Sequence, residues 1–164
     1  MVCRRCTRQQ RAERSFLGFI SERPEKSYGK GPDALWATGD LRFLVIECKS
    51  GATSVEIHKR DMAQLAHSMA WFEETYGSGC AGKPIMVHLS NRPASDAVAP
   101  SGMRIMTQAS LEKLKSDVRA VAQSLATNST WSDPQKVAEQ LHFYSLTGSA
   151  FAYGYTMTPA RGST

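Results

Sequence analysis

The chain has 164 residues, 41% of them apolar and 21% charged, with a formal net charge of +5. That is enough for one domain with its own core, and the balance is ordinary for a globular protein. No apolar run approaches the ~20 residues of a membrane span, and the basic N-terminus is not followed by an apolar signal core, so the expectation is a cytoplasmic protein without membrane attachment. The mild positive charge permits a polyanionic partner without requiring one.

Residues 1–11 carry Arg4, Arg5, Arg8 and Arg11 and almost nothing apolar, which predicts a basic N-terminal tail. Cys3 and Cys6 have the spacing of half a zinc site, but Cys48 and Cys80 are isolated and supply no second half. A zinc site and a pair of reduced thiols are the two readings. A short helix is expected from Ala12 to Leu17, then a loop over Glu22–Gly31, where charges mix with glycine and proline. Asp33–Ala37 and Leu41–Lys49 read as strands joined by a turn at Thr38-Gly39-Asp40. The second strand is apolar on both faces from Phe43 to Ile46, as in the middle of a sheet.

From His58 to Tyr76, Met62, Leu65, Met69, Phe72 and Tyr76 recur at helical spacing and predict a long helix with one core stripe. Gly77, Gly79 and Gly82 follow it, then a strand over Pro84–Leu89 and another near Met103–Met106. Leu111, Leu114, Val118, Val121 and Leu125 predict a further amphipathic helix, and Ser132-Asp133-Pro134 a helix start. Residues 143–164 show no firm period and are expected to be irregular. The order describes an α/β sandwich with a mixed sheet flanked by helices. Its expected parts are the tail 1–11, a core 12–126, and a C-terminal helix with an irregular tail over 127–164.

The chemistry concentrates on Asp33, Glu47 and Lys49. Side chains alternate along a strand, so Glu47 and Lys49 share a face about 6.6 Å apart. A three-residue turn centred on Gly39 sets Asp33 opposite Val45 on that face; a two-residue turn sets it on the wrong face unless a bulge corrects the register. Asp33, Glu47 and the backbone carbonyl of Cys48 would form an incomplete oxygen shell suited to Mg²⁺, with Mn²⁺ as a substitute. Such a metal polarises a phosphate and acidifies a water, and Lys49 would orient that water or meet developing charge. The plainer alternative makes Asp33 a turn residue and Glu47–Lys49 a solvated pair. Both residue types are depleted in strands, which weighs against it.

Pro32-Asp33 followed by Glu47-Cys48-Lys49 resembles the signature of the PD-(D/E)XK, or restriction-endonuclease-like, nuclease superfamily. Glu13-Arg14, Gly18-Phe19, Arg23 and Gly31-Pro32-Asp33 are similar in order to its Holliday-junction-resolvase-like branch. The resemblance covers roughly residues 12–92. It implies a restriction-endonuclease-like α/β/α sandwich and a Mg²⁺-dependent nuclease acting on DNA, an endonuclease more than a processive one. It also implies Glu13 as a third metal-directed acid, the alternative being a solvent-facing helix acid, and Gln64 as a helix residue facing the site.

Gln64, Ser68 and Trp71 form a stripe roughly 100° around the helix from the core stripe, so they could border a cleft. Ser68 stands where the recombination-exonuclease branch has a tyrosine, which argues against that branch. Arg23, Lys26, Lys30, Lys59 and Arg60 could track a DNA backbone. His88 reads as a packed strand residue, and His67 as a phosphate contact on the polar flank. A helicase or other DNA-processing protein, and a second copy of the chain for double-strand cutting, are the partners such a domain would take. The competing function is a non-catalytic nucleic-acid-binding or assembly module that keeps the fold.

Overall fold

Phe43, Leu44, Val45 and Ile46 are all buried, and the strand they form lies at the centre of a five-stranded sheet. The structure is a computed structural model that describes residues 19–49 and 51–160. The strands are β1 (Ile20–Glu22), β2 (Ala34–Gly39), β3 (Arg42–Cys48), β4 (Ala81–Val87) and β5 (Arg104–Met106), in that spatial order. β1–β2 and β2–β3 are antiparallel, whereas β3–β4 and β4–β5 are parallel. Among the described residues the helices are α1 (Pro24–Tyr28), α2 (Lys59–Tyr76), α3 (Gln108–Thr127), α4 (Pro134–Phe143) and α5 (Gly148–Gly154). The molecule is therefore α/β with a mixed sheet.

Strand alternation sends the core to both faces of the sheet. On one face Leu35, Phe43 and Val45 meet Phe72 and Tyr76 of α2, and Met86 and Ile105 meet Ile57, Met62 and Leu65. Gly82 in β4 lets α2 approach closely, because a Cβ there would lie 2.7 Å from the Phe72 ring. On the other face Leu44, Ile46, Ile85 and Met106 meet Leu114 and Val121 of α3 and Phe151 of α5. Each such buried side chain contributes about 1.5–3 kcal/mol, so α2 is fixed against β2, which Asp33 immediately precedes, and β3, which carries Glu47.

The expected long helix, the β5 strand and the helix start at Asp133 are all present. Asp133 Oδ1 accepts from the N–H groups of Gln135 and Lys136, and Pro134 occupies the first turn. Several expectations are corrected. The loop expected over Glu22–Gly31 contains the end of β1 and all of α1, a helix begun by Pro24 and closed at Gly29 with φ +69°; elements this short leave no periodicity to read. The strand expected over Pro84–Leu89 begins earlier, at Ala81, and ends at Val87, since parallel pairing with β3 carries it through Gly82. Residues 143–164, expected to be irregular, contain α5, and Leu146, Phe151 and Tyr155 are fully buried in the core. The aromatic ring of Phe151 there lies 5.5 Å from both Phe19 and Trp36.

The tail 1–11, the helix over 12–17, Cys3, Cys6 and Glu13 lie outside the described residues. Among the described residues no helix is long and apolar enough to cross a membrane.

The β2–β3 connection decides where Asp33 points. The turn is the two-residue pair Asp40-Leu41, both at positive φ (+50° and +58°), rather than the expected three residues centred on Gly39. Taken alone, that turn would continue Gly39↔Arg42 and leave Asp33 across from Cys48. The register instead shifts between Ala37 and Gly39, giving Ala37↔Phe43, Leu35↔Val45 and Ala34↔Ile46. One further step sets Asp33 opposite Glu47 rather than Val45. The bulge, one extra residue on β2, puts both acids on the α2 face.

Candidate functional site

Asp33 immediately precedes β2, and its Oδ2 accepts from the backbone N–H of Cys48 at 2.7 Å. That bond joins the start of one strand to the end of the other. Glu47 is the penultimate residue of β3 and is 1% exposed. α2 supplies its partners: Ser68 Oγ donates to Oε1 at 2.6 Å and Gln64 Nε2 donates to Oε2 at 2.8 Å. A buried charge without such donors would be costly, so these bonds are what a carboxylate needs there. Burial still dominates and pushes the Glu47 carboxyl up to about 7. The Ser68 bond pulls it down, and the negative Asp33 pushes it up again.

Lys49 follows β3 and keeps the alternation, because its N–H donates to the Val87 carbonyl at 2.8 Å and extends the β3–β4 pairing. Its ammonium donates to Gln64 Oε1 at 2.5 Å and lies 4.0 Å from Asp61 Oδ1. Gln64 thus joins Glu47 and Lys49 through the two ends of one amide. The backbone of Cys48, whose carbonyl was expected to face a metal, meets Asp33 through its N–H; its thiol is free.

Asp33, Glu47, Lys49 and Gln64 are therefore brought together, while Glu13 lies outside the described residues. Three further groups belong to the cluster. Asp61, buried in the first turn of α2, stands one turn before Gln64 on the stripe that continues to Ser68 and Trp71; that spacing was available as a signal. Ser68, expected only to border a cleft, binds Glu47 directly. Glu25 in α1 stands by Asp33, and the hydrogen bond that its protonated form would make to Asp33, followed by the Asp33 charge, holds its carboxyl above the usual range. Only the fold of the segment before Gly31 brings Glu25 there, and no sequence spacing announces it.

The stripe does open onto a groove. Lys30, Gly31, Gln64, His67, Ser68, Trp71 and Glu74 are among the residues around a space of about 450 Å³. Gly31, at φ +95°, lies against the Trp71 indole, where a Cβ would be 2.9 Å from two ring carbons and 3.0 Å from Pro24. Of the basic residues expected on a DNA path, Lys30 lines this groove. Arg23 precedes α1, Lys26 lies in it, and Lys59 and Arg60 form the first turn of α2; all four are exposed. His88, just past β4, is buried, with Nδ1 accepting from Ser90 N–H at 2.9 Å.

Among the described residues, no group of three or more His, Cys, Asp or Glu side chains is arranged to hold a metal ion. The acids at the centre are the pair Asp33 and Glu47, with Glu25 behind Asp33. No protein-family model, curated protein or solved structure significantly matches the chain.

Proposed function

We propose that this chain is a metal-dependent nuclease that hydrolyses DNA phosphodiester bonds, with Asp33, Glu47 and Lys49 as its centre and a restriction-endonuclease-like fold. The observation that carries the reading is the bulge-corrected register that opposes Asp33 to Glu47, with Lys49 two residues on. A structural salt bridge needs one acid and one base. Here two acids face each other and one of them is fully buried, an arrangement that costs stability unless a cation offsets it.

The donor set fits a magnesium-sized dication. It is made of carboxylate oxygens, and two acids with remaining positions left to water is how Mg²⁺ is commonly held. The Asp33 charge helps to raise the carboxyls of both Glu25 and Glu47, and a cation beside Asp33 would relieve that part of the repulsion. When bound, such an ion supplies Lewis acidity toward the scissile phosphate and acidifies a water. The protein's share is geometric. Ser68 and Gln64 fix both oxygens of Glu47, Cys48 N–H fixes Asp33, and Gln64 with Asp61 holds the Lys49 ammonium beside them. Lys49 then orients the attacking water or meets charge on the phosphate.

The purified chain with Mg²⁺ or Mn²⁺ is expected to cut at least one of duplex, flap, junction or single-stranded DNA, by internal cleavage. Loss of cutting in Asp33→Ala and Lys49→Ala supports the assignment, and cutting that survives both substitutions overturns it. Salt-sensitive DNA binding with no cleavage on any substrate favours a non-catalytic binding module instead. Cytoplasmic action, a helicase or other DNA-processing partner, and pairing of two copies for double-strand cutting belong to the same proposal.

A further inference from the structure

We infer that the groove beside the carboxylate pair seats one unpaired nucleotide next to the phosphate to be cut, with the Trp71 indole as its stacking surface. This rests on the nuclease reading and names its substrate class: DNA that is single-stranded at the point of cleavage.

Three observations carry it. Gln64 and Ser68, which bind the Glu47 carboxylate, are also groove wall, so the space adjoins the proposed reaction centre. Its volume of about 450 Å³ lies in the range of about 300–1,000 Å³ that holds one small ligand. A base still paired in a duplex cannot enter such a space; it must leave the stack or come from a strand already single. Finally, Trp71 is a fixed platform. Gly31 packs closely against it, so that a Cβ there would lie 2.9 Å from two ring carbons, and Tyr76 meets it edge-on at 6.2 Å between ring centres. A stacking ring held in place loses little freedom when a base arrives.

The lining also sets a polarity. Lys30 and His67 can meet phosphate, whereas Glu74 repels a backbone running past it, so the groove takes one nucleotide rather than a long track. The Gln64 amide is already committed at both ends, to Glu47 and Lys49. Recognition by stacking tolerates any base.

The test is binding of a short oligothymidine and of a blunt duplex to the full chain in chelator, where no cutting occurs. The single strand should bind more tightly and quench tryptophan emission. Trp71→Ala should weaken single-strand binding about tenfold and leave blunt-duplex binding within about twofold. Trp71→Phe keeps a ring in the same packing, so it should retain most of the affinity and lose the quenching. Equal affinity for the two DNAs, or quenching undiminished in Trp71→Phe, overturns the inference. The two readings separate cleanly. If the chain cuts DNA with metal while Trp71→Phe quenches like wild type, the groove assignment fails and the nuclease reading stands. If nothing is cut but quenching vanishes with Trp71, the nucleotide seat stands and the nuclease reading fails.

Discussion

The backbone N–H of Cys48 donates to Asp33 Oδ2 at 2.7 Å, so the first acid of the motif is held by the strand that carries the second. That bond gives Asp33 a structural task as well as its proposed chemical one, and substitutions should separate the two. Asp33→Asn keeps a carbonyl for Cys48 and should stay within about 0.5 kcal/mol of wild type. Asp33→Ala leaves the donor unmet and should cost about 1 kcal/mol. Both should lower metal-dependent cleavage by about 10²-fold or more. Urea unfolding beside a cleavage assay checks this, and an active Asp33→Asn would remove Asp33 from the reaction.

Gln64 bonds both Glu47 and Lys49 through its one amide. Gln64→Ala should leave the fold intact, since the residue is exposed on α2, yet reduce cleavage about 10–100-fold, as loss of an orienting partner typically does. Gln64→Glu should still accept from Lys49 but sets a like charge beside Glu47. Its cleavage should therefore need a higher pH than wild type. A pH–rate profile of the two variants distinguishes orientation from simple packing.

Burial moves the Glu47 carboxyl from 4.5 to about 7 in the folded, metal-free chain. Between those values the native state holds a proton that the unfolded state has released. Stability is therefore greatest below pH 4.5 as far as this group is concerned, and falls as pH rises through the window, by at most about 1.4 kcal/mol per pH unit. Glu25, whose carboxyl is also raised, acts in the same direction. Denaturant unfolding in chelator should show the decline, and Glu47→Gln should flatten most of it. Stability that rises from pH 4.5 to 7 in wild type and not in Glu47→Gln would contradict the placement of Glu47.

Gly31 combines φ +95° with contact against Trp71 and Pro24. Gly31→Ala meets both a strained backbone and a clash with a packed ring, so it should cost about 1–3 kcal/mol. The indole must shift to admit the methyl group. A lower Tm together with an altered Trp71 emission, identified by comparison with Trp71→Phe, is the expected result; an unchanged Tm would mean that the ring is not held there.

Much of this arrangement is legible in the linear chain, for particular reasons. The β3 strand announces itself because Phe43–Ile46 is apolar on both faces, and alternation alone puts Glu47 and Lys49 on one side. The α2 helix follows from its stripe of Met62, Leu65, Phe72 and Tyr76, and the same 3.6-residue period sets Gln64, Ser68 and Trp71 on a neighbouring flank. Periodicity is local, so sequence reads it well. Short segments carry too little of it, which is why β1, α1 and α5 were not legible.

What sequence alone determined is the list of chemical parts and the faces on which most of them lie, because side-chain direction is a local property of helix and strand. What only the tertiary structure decided is how the parts meet. Turn length is ambiguous in Thr38-Gly39-Asp40-Leu41, and one bulged residue makes the difference between Asp33 facing Glu47 and facing away. Likewise the bonds of Glu47 to α2 span 17 and 21 residues of chain. Such contacts depend on how a whole helix packs across a sheet, which is set by the summed burial of Phe72, Tyr76 and their neighbours rather than by any local pattern.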